Sequence, residues 1–262
     1  MPKLSLAPTL VALGALTAGC IDAATQKPCV EPGAAVTGAA APAPGAENAS
    51  ATASAGAPIK TCSGATKVAA DGLIDDFEDN NNQVAKAGGR DGYWWAAKDP
   101  NGSTIEPQKL APVDGGAGGS AKALHVTGNT VSTDGAWGVN VGTNFMSAKV
   151  PYDGARYAGI SFKAKVGPNS TKTVRFKVGD VNTHQDAGIC KSCWNHFGKD
   201  ITLTNEWQEY TVLFSELKQA DGWGDPRPPA LSPDKLWAFD FTVGPGANFD
   251  LWIDDVNFID CQ

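Results

Sequence analysis

The first 76 residues contain no phenylalanine, tyrosine or tryptophan, although the chain of 262 residues has 10 Phe, 4 Tyr and 8 Trp. Every aromatic side chain therefore lies from Phe77 onward. A segment without aromatic residues has little apolar area with which to offset the entropy lost on ordering. We expect the folded core to lie after this segment, in a part of the chain long enough for one sizeable domain.

Basic residues and long apolar runs are also scarce. Lys and Arg number 21 against 28 Asp and Glu, which gives a formal net charge of −7 and leaves no basic surface for phosphate groups, so we expect no nucleic-acid partner. No run approaches the ~20 apolar residues of a transmembrane helix. The chain has no G-x-S-x-G, H-E-x-x-H or P-loop motif, which argues against several common catalytic classes.

The amino terminus is typical of an export signal. Residues 1–19 carry Lys3, then an apolar run and small residues, and Cys20 follows. The ending LTAGC resembles a bacterial lipobox, in which the cysteine is lipidated and becomes the first mature residue. We expect an exported lipoprotein, anchored to a membrane by a lipid on Cys20 and located in the periplasm or at the cell surface. The alternative is an ordinary signal peptide in which Cys20 is incidental.

Residues 20–66 are dominated by Ala, Gly, Pro, Ser and Thr and show no hydrophobic periodicity. This composition predicts a disordered tether between the signal peptide and a folded domain over residues 67–262.

From residue 71 onward, apolar and polar residues alternate in short runs separated by Gly, Pro, Asn and Asp. In KTVRFKV, for example, Val174, Phe176 and Val178 share one face of a strand, and Arg175 and Lys177 share the other. No window of twelve or more residues has convincing helical periodicity. About ten such runs predict an all-β fold, a two-sheet antiparallel β-sandwich (jelly roll).

Acidic residues lie on apolar faces in the first and last strands. Alternation in DLWIDDVNF places Asp254 with Trp252, Val256 and Phe258, and a buried carboxylate needs a partner. Asp75 repeats the pattern in LIDDFED. Because hard oxygen ligands suit calcium, we expect the two strands to share a structural calcium ion. Carboxylates that are solvated or bound to backbone N–H groups are the alternative.

Six cysteines in an exported chain favour disulfides. Cys62 precedes the first strand and Cys261 follows the last, so a Cys62–Cys261 bond would join the two ends of the domain. For Cys190 and Cys193, in a C-K-S-C loop, we favour a local disulfide. A Cys₂His₂ zinc site that also uses His184 and His196 is the alternative.

The ordered blocks LIDDFED, TDGAWG, TVRFKV, HFGKDITLTNEWQEYTVLFSEL and LWIDDVNF resemble carbohydrate-binding module family eleven and its galactose-binding-like relatives. The resemblance covers roughly residues 71–260. It implies a β-jelly-roll with a structural calcium and a glucan-binding cleft on one concave face. The acidic blocks then imply Asp76, Glu78 and Asp254 as calcium ligands.

The resemblance also implies positions for the cleft. The aromatic residue after the first strand falls in GYWW, at Tyr93, Trp94 or Trp95, and the cleft histidine falls at His196. The remaining family positions match only in part: Ala136 stands in place of an aromatic residue, whereas Trp223 keeps an aromatic residue and Asp234 keeps an aspartate. By position they fall at Ala220, Gly222, Trp223, Asp234, Trp237 and Asp240, with Asp221 nearby. Alternation in LWAFDFTV also places Trp237 on one face with Phe239, Phe241 and Val243, which would make it a core residue. These departures put a preference for mixed-linkage glucan in doubt.

Tryptophans in this sequence divide into core and ligand-facing candidates. Trp223 lies in the loop sequence ADGWGDPRPP, which has no periodic core face, and we predict that it contacts ligand, as aromatic rings cover the apolar face of a sugar. Trp194 is a weaker candidate of the same kind. Trp207 and Trp252 are predicted to pack in the core. Arg175 lies on the polar face of its strand, where it lines the ligand surface or is solvated.

We therefore predict a monomeric, non-catalytic module that binds a β-glucan-like polysaccharide. The first alternative is a β-sandwich glycoside hydrolase or lyase that acts through loop carboxylates, since glycoside hydrolysis needs a pair of acids. Those acids would be Asp180, Asp186, Asp221 and Asp225. The second alternative is a structural or adhesive surface lipoprotein that binds no sugar.

Overall fold

A computed structural model describes residues 52–262, so the predicted signal peptide, Cys20, Cys29 and most of the predicted tether lie outside the described residues. Short 3₁₀ turns at Ala87–Gly89, Gln185–Ala187, Phe214–Glu216 and Pro233–Lys235 accompany the strands. No helix within residues 52–262 is long and apolar enough to cross a membrane. The strands are β1 (Thr66–Asp75), β2 (Trp94–Lys98), β3 (Thr104–Glu106), β4 (Pro112–Asp114), β5 (Lys122–Asn129), β6 (Val139–Asn144), β7 (Gly159–Val166), β8 (Thr173–Asp180), β9 (Phe197–Thr202), β10 (Gln208–Leu213), β11 (Leu236–Val243) and β12 (Asn248–Cys261).

Two antiparallel sheets contain these strands. The seven-stranded sheet has the order β10-β7-β12-β5-β3, with β1 added to β12 and β4 added to β5. The five-stranded sheet has the order β2-β6-β11-β8-β9. The predicted all-β, two-sheet antiparallel sandwich is therefore confirmed.

The core lies between the two sheets and is rich in phenylalanine. Phe176 of β8 and Phe241 of β11 are fully buried. Phe176 stacks on Phe162 of β7, and Phe241 contacts Phe162 edge-on. Burying one such ring contributes about 1.5–3 kcal/mol relative to leaving it exposed. Arg175 and Lys177 alternate with the inward residues of β8 and lie on the outer face of the five-stranded sheet, as the period-two pattern predicts.

A bulge in β12 overturns one prediction. The pairing of β12 with β7 shifts register between Asp254 and Asn257, and Asp255 has a left-handed φ of 46°. An extra residue reverses which side chains face inward. Trp252 therefore does not share the core face of Phe258, but stacks on His125 on the outer side of the seven-stranded sheet, with ring centroids 3.8 Å apart.

A second irregularity, in β11, has the same effect. The pairing of β11 with β8 shifts register between Leu236 and Ala238. Leu236 and Phe239 join the main core, whereas Trp237 packs with Val181 in a separate small cluster. The expectation that alternation would place Trp237 on the core face with Phe239 is wrong for this reason.

The folded part of the chain begins earlier than residue 67. The amide of Ser54 donates a 2.6 Å hydrogen bond to Asn182 Oδ1, and the Asn182 side-chain amide donates to the Ser54 carbonyl in return. The predicted Cys62–Cys261 disulfide is present and links this segment to the end of β12. The last part of the predicted tether is therefore bound to the sandwich.

The Cys190–Cys193 disulfide is also present, as predicted in preference to zinc. It closes a small loop between β8 and β9. With both sulfur atoms in this bond, neither thiolate is free to bind a metal.

Candidate ligand-binding face

The outer face of the five-stranded sheet is built from the side chains that do not enter the core. Cross-strand pairing aligns them in rows that run perpendicular to the strands. Five strands spaced about 4.8 Å apart make this face roughly 19 Å wide. The rows are Trp95, Gly142, Asp240, Lys177 and Gly198; Ala97, Asn140, Thr242, Arg175 and Asp200; and Asn144, Ala238 and Gly179.

A buried ion pair lies at the centre of this outer face. The Lys177 ammonium is 3.1 Å from the Asp240 carboxylate, and the two side chains are only 12% and 1% exposed. The hydroxyl of Thr242 lies 2.8 Å from both Asp240 Oδ1 and Asn140 Oδ1, so that it can donate to either oxygen. Burial raises the pKa of Asp240, and the nearby Lys177 charge opposes that rise. The arrangement offers fixed donors and acceptors for a polar ligand.

Two glycines on this face leave space for larger neighbours. A Cβ at Gly142 would lie 2.6 Å from the Asp240 Cβ, and one at Gly179 would lie 2.7 Å from the His196 ring. Any larger residue at either position would displace these side chains. Asp240 and His196 therefore pack directly against the backbone of Gly142 and Gly179, which fixes the positions of these two side chains.

Aromatic side chains lie at the β2 edge of the outer face. Trp95 is half-buried, and its indole nitrogen donates a 3.1 Å hydrogen bond to Asn144 Oδ1. Tyr93 is exposed and forms a hydrogen bond with the Gln83 side chain. Of the three GYWW candidates, Tyr93 and Trp95 are placed where a ligand on this face would meet them.

Trp94 points the other way, so the prediction that it binds ligand is wrong. Its ring is 3% exposed and contacts Phe77 and Phe239 in the core. The indole nitrogen donates a 2.7 Å hydrogen bond to Asp75 Oδ2. Successive residues of a strand face opposite sides, so Trp94 and Trp95 cannot both face solvent.

Two loops lie beyond the β9 side of the face, over residues 181–196 and 219–231. Trp194 and Trp223, one from each loop, are 47% and 46% exposed. Buried Asn195 joins the loops, because its side-chain amide donates to the carbonyls of Ala220 and Trp223 at 2.9 and 2.6 Å. The predicted ligand residue Trp223 is therefore exposed on a loop that is fixed in place.

Histidine and tryptophan rings fill the space beneath the first of these loops. His184 stacks on Trp237 with centroids 5.1 Å apart, and His196 lies parallel to His184 at 5.9 Å. Burial lowers the pKa of His184 to about 4 and the pKa of His196 well below its usual value, so both rings are neutral at pH 7. His196 Nδ1 is 2.8 Å from the Thr183 hydroxyl, which leaves this predicted ligand residue buried at the margin of the outer face.

Arg175 lies on the outer face as one alternative expected, but its guanidinium is already bound. Nη1 is 3.0 Å from Asp200 Oδ1, and Nη2 donates to the carbonyls of Gly198 and Lys218. The side chain therefore ties β9 and the segment after β10 to β8. It borders the face and also holds its edge together.

Two predicted acids lie away from the outer face. Asp234 is in a 3₁₀ turn before β11 and accepts a hydrogen bond from the Ala57 amide, so it binds the amino-terminal segment. Asp221 is fully exposed and lies 3.4 Å from Arg227. It lines a shallow groove of about 390 Å³ beside the face, together with Phe197, Lys218, Gln219, Arg227, Pro228 and Pro229.

Two of the four loop acids proposed for catalysis, Asp180 and Asp186, are engaged in other contacts. Asp180 is fully buried and accepts hydrogen bonds from the amides of Asn182 and Ser232. Asp186 pairs with Lys149. Buried Asp180 cannot reach a substrate on the surface, so the pair of acids needed for glycoside hydrolysis is not assembled from these two residues.

The acids predicted to bind calcium approach one loop, residues 115–122. Glu78 Oε1 accepts hydrogen bonds from Ser120 Oγ and the Lys122 amide, and Asp254 Oδ2 accepts one from the Ala117 amide. A Cβ at Gly116 would lie 2.5 Å from the Lys122 carbonyl oxygen and from Ser120 Oγ. Oxygen atoms that could bind a metal ion thus surround Gly116, where no larger residue would fit.

This donor set suits calcium chemically, since calcium accepts carboxylate and backbone oxygens. Asp76 is placed differently, because its carboxylate accepts a 3.3 Å hydrogen bond from the Glu78 amide within its own turn. Among residues 52–262, no three acidic, histidine or cysteine side chains are grouped to hold a metal. Two acids and backbone oxygens are the available ligands.

Sequence reasoning missed three polar residues of the outer face, Asn140, Asn144 and Thr242. The signal was present, because Asn140, Gly142 and Asn144 alternate with buried residues in β6. Thr242 alternates in the same way with Phe241 and Val243 in β11.

A two-sheet sandwich whose outer face combines an indole ring, a fixed ion pair and amide groups has the features of a saccharide-recognition domain. Residues 60–260 match the carbohydrate binding domain (family 11), and the chain belongs to that family. The domain is a non-catalytic carbohydrate-binding module. No match is found among curated proteins.

Solved structures share this fold. The family 11 carbohydrate-binding module from Clostridium thermocellum, solved in complex with a β-1,3-1,4-mixed-linked tetrasaccharide, has a TM-score of 0.50 and 18% identity. The match covers 74% of this chain and 98% of that one. A solution structure of the protein designated CtCBM11 has a TM-score of 0.50 and 17% identity, and covers 75% and 96% of the two chains.

Proposed function

We propose that the outer face of the five-stranded sheet binds a β-linked glucan chain laid across the strands. The observation that carries this proposal is the row from Trp95 through Asp240 and Lys177. The Trp95 ring can cover the apolar face of a pyranose, and the Asp240–Lys177 pair can accept and donate hydrogen bonds to hydroxyl groups. The tetrasaccharide bound by the C. thermocellum module supports a β-glucan as the ligand class.

Affinity electrophoresis against a panel of soluble polysaccharides tests this proposal. We expect a mixed-linkage β-glucan to retard the purified domain and Trp95→Ala to reduce the retardation. Trp207→Ala is the matched control, because Trp207 contacts Trp252 and Lys165 on the other sheet. Absence of retardation across the panel would reject sugar binding and favour the structural or adhesive alternative.

The proposal extends to the whole protein, which we infer binds the glucan without cleaving it. It is supported by the burial of Asp180 and by the pairing of Asp186 with Lys149. Incubation with the retarded polysaccharide should release no reducing sugar. Release that is abolished by Asp221→Ala would instead establish the hydrolase alternative.

We also propose that residues 1–19 direct export and that a lipid on Cys20 anchors the protein to a membrane, with the domain acting as a monomer. The lipobox-like ending LTAGC supports this part of the proposal. Cys20→Ala should move the protein from the membrane fraction to the soluble fraction. Unchanged membrane association would reject the lipid anchor.

Calcium is the last part of the proposal. We infer that Glu78 and Asp254, with backbone oxygens of residues 115–122, hold a structural calcium ion, which would tie β1 and β12 to that loop. Asp76 is a predicted ligand on the basis of the family resemblance. The contacts of Glu78 and Asp254 with the same loop support this placement.

A further inference from the structure

We propose that Trp194 forms an aromatic subsite for one sugar ring at the β9 end of the glucan chain, next to the loop whose Trp223 occupies a family ligand position, and that the Cys190–Cys193 disulfide positions Trp194. This inference rests on the proposed function and adds a subsite to it. The ligand group is a pyranose with a continuous apolar C–H face, as found in β-linked glucose polymers.

The rings of Trp194 and Trp223 are both exposed to solvent. Their exposed fractions, 47% for Trp194 and 46% for Trp223, leave ring surface available for contact. Exposed aromatic rings on fixed loops are typical of binding sites. The two rings therefore present apolar surface that the domain itself does not use.

The backbone of Trp194 is held in a strained conformation. Its φ of 76° lies in the left-handed region, which is rare for a bulky residue. The Trp194 amide donates a 2.8 Å hydrogen bond to the Thr183 carbonyl, which holds the residue in this conformation. Such strain persists only where the surroundings enforce it, and it is concentrated at functional sites.

The ring of Trp194 packs against two histidine rings. It contacts His184 edge-on at 4.8 Å and His196 edge-on at 5.8 Å. Because burial lowers the pKa of both histidines, these supporting rings are uncharged at pH 7. His196 itself lies against Gly179 of the outer face, so Trp194 continues that face rather than forming a separate surface.

The loops of the two tryptophans are fixed relative to each other. The amide of Ser192 donates to the Asp225 carbonyl, and the amide of Asp225 donates to the Ser192 carbonyl. Asn195, next to Trp194, holds the carbonyl of Trp223. Orienting both rings before ligand arrives reduces the entropy lost on binding.

The disulfide closes the loop immediately before Trp194. Cys190 and Cys193 flank Ser192, so the cross-link limits the conformations of the segment that pairs with Asp225. It encloses few residues and therefore adds little to global stability. Its effect should be local, on the position of Trp194.

Isothermal titration calorimetry of the full domain with β-1,3-1,4-linked tetrasaccharide and hexasaccharide tests the subsite. We expect Trp194→Ala to weaken hexasaccharide binding about tenfold and tetrasaccharide binding less than twofold, because the shorter chain fits within the outer face. Trp194→Phe should recover part of the loss. Trp207→Ala, on the other sheet, should leave both affinities unchanged.

The results separate this inference from the proposed function. Equal affinity of Trp194→Ala and wild type for the hexasaccharide would overturn the subsite while leaving glucan binding intact. Equal losses for both oligosaccharides would overturn its terminal position. Failure of the wild type to bind either oligosaccharide or any polysaccharide of the panel would overturn the proposed function itself.

The double variant Cys190→Ser/Cys193→Ser tests the role of the disulfide. We expect it to lose hexasaccharide affinity by at least threefold, to keep the tetrasaccharide affinity and to change its melting temperature little. Adding Trp194→Ala to this variant should bring the total loss only to the tenfold loss of Trp194→Ala alone, since both changes remove the same contact. Unchanged hexasaccharide affinity in the double variant would overturn the positioning role.

Discussion

The indole nitrogen of Trp94 lies 2.7 Å from the buried carboxylate of Asp75 and donates a hydrogen bond to it. The amide of Phe77 donates to the other carboxylate oxygen at 2.8 Å. Burial nevertheless dominates and raises the pKa of Asp75 from its ordinary value of 3.8 to about 7. A core tryptophan thus shares its environment with an acid that titrates near neutral pH.

This pKa predicts how stability depends on pH. The folded protein binds the Asp75 proton more tightly than the unfolded chain, so the contribution of Asp75 is full below pH 3.8 and is lost as the pH rises to about 7. At about 1.4 kcal/mol per pKa unit, the wild type should lose a few kcal/mol relative to Asp75→Asn. Urea unfolding of both proteins from pH 4 to 8 measures the difference. A difference that stays constant with pH would contradict the raised pKa.

Adjacent tryptophans should respond oppositely to the same substitution. Trp94→Phe removes a donor from buried Asp75 and should lower the free energy of unfolding by about 1–3 kcal/mol without changing glucan affinity. Trp95→Phe should weaken glucan binding and leave stability nearly unchanged. Thermal unfolding measures the stability of both variants, and affinity electrophoresis measures their glucan binding. Each variant is the control for the other. Reduced affinity in Trp94→Phe with normal stability would place Trp94 at the ligand.

The central ion pair should matter to both stability and binding. Lys177→Met leaves the buried Asp240 carboxylate without its cation and should destabilise the domain by about 3–5 kcal/mol. Arg227→Met is the matched control, because its partner Asp221 is fully exposed and such pairs contribute little. Chemical denaturation of both variants provides the measurement. Equal, small effects would show that water screens the Lys177–Asp240 pair.

Removal of calcium should lower the melting temperature, and added calcium should restore it. Glu78→Gln and Asp254→Asn should each abolish the response, because each removes one of the two carboxylates that we propose as calcium ligands facing the loop at 115–122. Asp221→Asn, in the loop of residues 219–231, should respond as the wild type does. Differential scanning calorimetry of each protein with and without EDTA measures the response. If EDTA removes all metal and the melting curve does not change, the calcium proposal is rejected.

The two disulfides should differ in their contribution to global stability. Cys62 and Cys261 are separated by 199 positions, so their bond restricts the unfolded chain far more than Cys190–Cys193, with a separation of 3. Replacing Cys62 and Cys261 by serine should cost about 5 kcal/mol on the chain-entropy estimate. The Cys190→Ser/Cys193→Ser variant should lose much less. Equal losses in urea unfolding would contradict this entropic account.

The strands and the two-sheet architecture could be predicted from the sequence, because alternation reports directly on half-buried strands. Which residues face inward could be predicted only where the strand is regular. A single extra residue near Asp255, and another near Trp237, reversed the predicted faces of Trp252 and Trp237. Nothing in the local pattern marks these bulges, since they arise from pairing with distant strands.

The candidate site was predictable to a similar degree. Trp223 stood out because a loop tryptophan has no core face to join, and the structure places it on the surface. Which of Trp94 and Trp95 enters the core could not be predicted. Neighbouring residues of a strand face opposite sides, but the local pattern does not show which side is the core. The burial of Asp180 depends on contacts with Ser232, far along the chain, which local sequence does not reveal.

The Cys62–Cys261 bond also determines how the domain would bear a pulling force. Tension applied through the segment before Cys62 passes covalently to the end of β12, which pairs with β1, β5 and β7 in the seven-stranded sheet. Without the bond, the same tension would pull on the start of β1 and could unzip its few pairs one at a time. With it, the load reaches a strand that pairs with neighbours on both sides, so that more hydrogen bonds resist the pull.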